Sequence, residues 1–151
     1  RTETMEEAMT KANIRFDEIV YETKYNDSII ILYTTNNTLS AGQLRRNLLG
    51  YKWVLGSGSD HFAEEDDATW SITNFTPEPN SPNNISIAKG VVHNPAIQQM
   101  TLHFENEDVA ATFIPYGGVR IWYAFSKAPI PGMPDVTMVY EDGTVKSGWY
   151  D

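Results

Sequence analysis

The 151-residue chain contains no cysteine. That absence removes disulfides, thiolate catalysis, cysteine-ligated zinc and iron–sulfur clusters together. It leaves the compartment open, because secreted proteins without cysteine are common. Long apolar runs are missing too: none approaches the roughly 18 residues that a membrane-spanning helix needs. Basic residues are scarce, 11 against 20 acidic ones, for a net charge of −9. Such a chain repels nucleic acid and anionic lipid headgroups, so both are poor default partners. Histidine is limited to His61, His93 and His103, none in an HExxH or HxH pattern. Each reads first as an ordinary surface or loop residue.

What is present favours strands. Hydrophobic residues make up 41% of the chain and aromatics 12%, enough to bury a core, and β-branched residues are frequent. Ser28 to Thr35 (SIIILYTT) is apolar on both faces of a strand, so it belongs in the middle of a sheet with both sides covered. Val119 to Phe125 (VRIWYAF) plays the same part in the second half, with Val119, Ile121, Tyr123 and Phe125 as its core face. Thr4 to Ala12 carries a capping box, Thr4 with Glu7, and an apolar stripe of Met5, Ala8, Met9 and Ala12, which predicts a short helix packed on a sheet. Asn26-Asp27 and Asn36-Asn37 supply tight turns.

Thr38 to Leu49 is open to two readings, a helix capped by Ser40 or a strand entering a hairpin. Tyr51 to Leu55 is a strand, expected to break at Gly56-Ser57-Gly58-Ser59. Ala68 to Phe75 alternates again. Thr76 to Asn84 holds three prolines and no apolar residue, the natural boundary between two lobes. Beyond it, six short strands in about 65 residues, separated by turn signals such as Glu105 to Asp108 and Ala128 to Pro134, suggest a sandwich. The expected fold is mainly β (α+β): a short N-terminal helix on a small antiparallel sheet over residues 1–76, a proline-rich linker over 77–84, and a β-sandwich or immunoglobulin-like lobe over 85–151.

Five carboxylates crowd one stretch: Asp60, Glu64, Glu65, Asp66 and Asp67. Calcium takes roughly 6–8 oxygen ligands, so the run is a candidate calcium site, although the spacing is not that of an EF-hand and a solvated charge run is the simpler reading. No other cofactor is expected. Ser57 and Ser59 lie near His61, yet GSGS is not a GxSxG elbow, and no catalytic residue is assigned. Aromatics are the better lead, because rings bind sugar faces and anchor interfaces. Tyr51 and Trp53 share one strand face, Arg120 and Trp122 share another, and Trp149 sits near the end of the chain. Core packing competes with binding for each of them. Trp122, opposite the core face of its strand, is the one expected to stand clear.

Glu6-Glu7-Ala8 in a helix, GYKWVLGSGS (Gly50 to Ser59), GVVHNPAI (Gly90 to Ile97), IWYAF (Ile121 to Phe125) and a final Asp142-Gly143 hairpin follow one another in order. Together they resemble a loose group of small extracytoplasmic proteins of Bacillus-type Gram-positive bacteria, often lipoproteins or membrane-anchored. The resemblance implies a location, cell-surface or secreted, and paired strands across Thr38 to Leu55. It implies no activity. The chain opens on Arg1 rather than Met, so an upstream segment, with any anchor, is expected to have been removed.

The function expected from these features is non-enzymatic binding of a surface protein or glycan, without nucleic acid, and with membrane association only through an upstream anchor. A hydrolase with carboxylates in a cleft between lobes, or a purely structural domain, are the alternatives.

Overall fold

The structure is a computed structural model that describes residues 4–63, 66–76 and 78–149. One short helix and twelve strands are arranged in four layers among the described residues. The chain is thus mainly β, with a helix on an antiparallel sheet followed by a β-sandwich.

Helix α1 (Met5–Lys11) is capped by Thr4, whose hydroxyl accepts from the Glu7 N–H at 3.1 Å. It buries Ala8 and Met9. The first sheet is a simple meander of β1 (Glu18–Tyr25), β2 (Ser28–Thr35), β3 (Thr38–Asn47) and β4 (Gly50–His61). Asn36 and Asn37 close the β2–β3 hairpin at φ 46° and 65°, the left-handed conformation that two-residue hairpins demand. Strand β2 is covered on both faces. Ile31 and Tyr33 meet the helix, while Ile30 and Leu32 face the next sheet. The open reading of Thr38 to Leu49 closes in favour of a strand, paired with β2 along its length.

The middle sheet runs β5 (Ser71–Phe75), β6 (Ile85–Val92), β10 (Val119–Ser126), β9 (Thr112–Tyr116). The outer sheet runs β12 (Val145–Ser147), β11 (Asp135–Tyr140), β7 (Ile97–His103), β8 (Asp108–Ala110). Ile30, Leu32, Leu39 and Ala41 of the first sheet share one core with Phe75, Ile85, Ile87, Val91 and Ile121 of the middle sheet. The opposite face of the middle sheet, with Ala88, Val92, Trp122 and Ala124, shares a second core with Ile97, Met100, Leu102, Val136 and Met138 of the outer sheet. At roughly 1.5–3 kcal/mol per fully buried aliphatic side chain, both cores are substantial.

Two expectations are corrected. The proline-rich stretch is no boundary between separate cores: β5 before it and β6 after it are paired neighbours in one sheet, and the core behind them includes β2 and β3. Nor does GSGS end β4, which continues to His61. Its glycines make room. Gly42 and Gly56 face each other across β3 and β4, and a Cβ on either would run into the Trp53 indole lying over them.

Candidate functional site

The aromatic residues singled out from the sequence are distributed through the cores. Trp122 is 0% exposed. Its Nε1 donates to the Thr69 carbonyl at 2.8 Å, and its ring stacks on Trp149, centroids 5.4 Å apart, with Trp149 also buried. The expectation that Trp122 stands clear of the core therefore fails. Strand β10 lies in a sheet with a core on each side, so the face opposite Ile121 is covered as fully as its own. Arg120 is half-buried, its guanidinium 4.8 Å over the Phe113 ring and donating to the Asn94 carbonyl. Tyr51 and Trp53, half-buried, pack against the core under α1.

The acidic run is divided as well. Asp60 is buried in β4, 2.5 Å from Lys89 Nζ, which removes it from any calcium ligand set. Asp67 accepts from the Tyr140 hydroxyl at 2.6 Å and from Asn94 Nδ2 at 3.2 Å. The Tyr140 bond is the main reason that its carboxyl is held below the usual range. Asp66 is exposed, and Glu64 and Glu65 lie outside the described residues. Among the described residues, no three acidic or histidine side chains stand together as a cation site.

Lys89 shows chemistry that sequence reasoning missed. Burial, the dominant influence, lowers its pKa against the opposing pull of Asp60. Its Nζ lies 2.7 Å from Ser71 Oγ and 3.3 Å from the Leu39 carbonyl, besides Asp60. A lysine beside a serine hydroxyl is a nucleophile–base pairing. Here, however, three acceptors occupy the three ammonium donors and the side chain is fully enclosed, so the group braces two sheets rather than meeting a substrate.

An open, chemically mixed site lies at one end of the outer sheet. A groove of about 480 Å³ lies between the Phe104–Glu107 turn and the Ala128–Pro134 loop. Its apolar side is Phe104, Ile130, Met133 and the loop prolines, and its acids are Glu105, Glu107 and Asp135. The loop is held in place. Asn74 grips Ile130 from both ends of its amide, Oδ1 accepting the Ile130 N–H at 2.8 Å and Nδ2 donating to the Ile130 carbonyl at 3.1 Å. Trp149 Nε1 donates to the Pro134 carbonyl at 2.9 Å.

His103 borders the groove. Its Nδ1 is 2.9 Å from Asp108 Oδ1 and its Nε2 2.7 Å from Thr137 Oγ1. The sequence carried half of this signal, since the Glu105 to Asp108 turn sets His103 opposite Asp108 across a hairpin. Thr137 arrives from β11, far along the chain, and no local pattern points to it.

No protein-family model, no curated protein and no solved structure matches the chain.

Proposed function

We propose that this domain is a non-enzymatic binding module that holds an extended segment of a partner protein at the bacterial cell surface. The groove beneath the Ala128–Pro134 loop carries the proposal. It has an apolar side for aliphatic side chains, three carboxylates for cationic ones, and a loop whose shape is set before the ligand arrives, which lowers the entropic cost of binding. A peptide suits it better than a sugar, because Trp122 and Trp149, which would stack on a sugar ring, are in the core. The extracytoplasmic setting rests on the resemblance borne by Gly50 to Ser59 and Ile121 to Phe125. The proposal calls for no cofactor.

The test is a titration followed by amide chemical shifts. An extended peptide of alternating lysine and leucine is expected to move resonances of residues 103–107 and 128–135, and a glutamate–leucine control to leave them in place. Glu105→Lys with Glu107→Lys should weaken binding by about tenfold, since both side chains are exposed at the rim. Shifts scattered over the surface, or equal response to both peptides, would remove the groove from consideration.

The Asp108–His103–Thr137 chain favours one second reading, a hydrolase in which His103 draws a proton from the Thr137 hydroxyl and Asp108 orients the ring. Turnover of activated esters, abolished in both His103→Asn and Thr137→Val, would put that reading first. Unchanged background hydrolysis dismisses it. The alternative with carboxylates between two lobes has less to support it, because packed apolar side chains and the enclosed Lys89–Asp60 pair fill the space between the first and middle sheets.

A further inference from the structure

The chain carries two adjacent leucines that the fold leaves outside. Leu48 is 102% exposed and Leu49 67%, at the turn joining β3 to β4. An isolated exposed leucine needs no explanation. Two together at the point of a hairpin, with a core available for apolar side chains on either side of the same sheet, do. The turn has a defined shape. Asn47 Oδ1 accepts the Leu49 N–H at 2.8 Å, and Gly50 adopts φ 121°. The leucines are therefore displayed by the backbone rather than left loose.

Cations gather around this tip. Arg45 and Lys52 stand directly opposite each other on one face of the hairpin, and Arg46 stands on the other face, 5.6 Å over the Tyr51 ring. Like charges directly opposed in a sheet are destabilising. Lys24 lines a groove that reaches the tip at Leu48, and Lys11, in the last turn of α1, lines another that reaches it at Leu49. Five of the 11 basic residues thus lie beside the turn or line the grooves that reach it, while the acids lining the same two grooves are Glu22 and Asp27. None of the five cations makes an ion pair among the described residues. A net charge of −9 argues against anionic surfaces for the molecule as a whole, but the local field around this end has the opposite sign.

We propose that the β3–β4 hairpin tip docks the domain on an anionic bilayer, with Leu48 and Leu49 inserted at the headgroup boundary and Lys11, Lys24, Arg45, Arg46 and Lys52 forming a collar against the lipid charge. Shape selects lipid over protein. A stable protein interface buries about 800 Å² per partner over a fitted surface, whereas two projecting leucines form a point, which a deformable lipid phase accepts. Apolar insertion and attraction to anionic headgroups act together in interfacial binding. The acidic remainder of the molecule is repelled by the same surface, so one orientation is favoured. The groove beneath the Ala128–Pro134 loop shares no residue with this tip, and its ligand plays no part in the proposal.

Flotation with vesicles tests it. The 151-residue chain is expected to rise with vesicles of mixed phosphatidylglycerol and phosphatidylcholine, and to stay down with phosphatidylcholine alone. Raising salt from about 0.05 to 0.5 M should release it, as screening shortens the reach of the collar. Leu48→Ser with Leu49→Ser should cut the bound fraction by about tenfold or more at an unchanged melting temperature, because neither side chain is in a core. Lys11→Gln, Lys24→Gln and Lys52→Gln together should remove the preference for the anionic vesicles. No flotation at low salt overturns the proposal. So does binding that survives the leucine pair's replacement, or a leucine-dependent dimer in light scattering without vesicle binding, which would make a second copy the occupant.

Discussion

Lys89 Nζ of the middle sheet lies 2.5 Å from Asp60 Oδ2 of the first sheet, with both side chains removed from solvent. Ser71 Oγ joins them, donating to Asp60 Oδ2 at 2.8 Å. Strand β4 is shaped to admit the pair: Gly58, at φ 92°, has no Cβ, and one placed there would sit 2.8 Å from Nζ. The contact is a polar tie between the first and middle sheets, beside the Ser57–Thr73 hydroxyl pair at 2.8 Å.

Removing one partner leaves the other as a buried charge without a counter-ion. Lys89→Met alone and Asp60→Asn alone are each expected to cost about 3–5 kcal/mol in urea unfolding. The combined replacement should cost much less than the sum of the two, because it leaves no unpaired charge. Additive losses would show that the ions act separately and that the brace is a packing contact only.

Trp122 is expected to behave as a core residue. Trp122→Ala should lower stability by about 3–5 kcal/mol, and Trp122→Phe by less, since the ring stack on Trp149 survives while the bond to the Thr69 carbonyl is lost. Gly90 lets the Thr69 carbonyl and the Trp122 indole lie against β6, since a Cβ there would run into both. A melting temperature unchanged in Trp122→Ala would contradict the burial of this side chain.

The legible parts of the fold were those set by local chemistry. Thr4 before an apolar stripe, paired asparagines at positive φ, and the two-faced apolar run of β2 each have a meaning confined to a few residues. Strand β10 shows the limit. Alternation tells which side chains share a face, so Ile121 and Trp122 were rightly separated, but it does not count how many faces are covered. The same holds for GSGS, which reads as a breaker until Trp53 and Lys89 are seen to need the space. Of the candidate site, the Ala128–Pro134 turn and the His103–Asp108 hairpin were visible. The groove was not, because it depends on Asn74 reaching Ile130 across 56 residues and on Trp149 reaching Pro134.

Stability should also report the bond between Tyr140 and Asp67. The folded Asp67 carboxyl titrates below its ordinary value of 3.8, chiefly because the Tyr140 hydroxyl donates to it. The native state therefore binds fewer protons than the unfolded state in the interval between the two values, and stability rises with pH across it. The contribution is fully present above the unfolded value and is lost as pH falls through the folded one. Tyr140→Phe is expected to lower stability at neutral pH by about 1 kcal/mol, a charged hydrogen bond weakened by partial exposure. That deficit should shrink toward zero in acid-unfolding curves below the folded value. A deficit independent of pH would assign the effect to packing of the ring.

Asn74 offers a test of whether the groove is built in advance or forms around its ligand. Both polar ends of its side chain amide hold the Ile130 backbone, which keeps the loop over the groove while Ile130 itself is buried beneath. Asn74→Ala removes both bonds and leaves the Ile130 N–H without its partner, a cost of about 1–3 kcal/mol for a buried group. The loss should be local, because the loop stays anchored by β10 and β11 at its two ends, by the Ser126–Ala128 and Trp149–Pro134 bonds and by the Ile130 side chain in the core. Hydrogen exchange at Ile130 is expected to accelerate by at least about tenfold, with β6 and β10 amides unchanged. If the preset loop is what makes binding favourable, the lysine–leucine peptide should bind the variant more weakly, chiefly through an extra entropic penalty seen by calorimetry. Undiminished affinity together with fast exchange at Ile130 would mean that the ligand orders the loop itself, and the binding determinants would then narrow to Phe104, Glu105 and Glu107 on the fixed side of the groove.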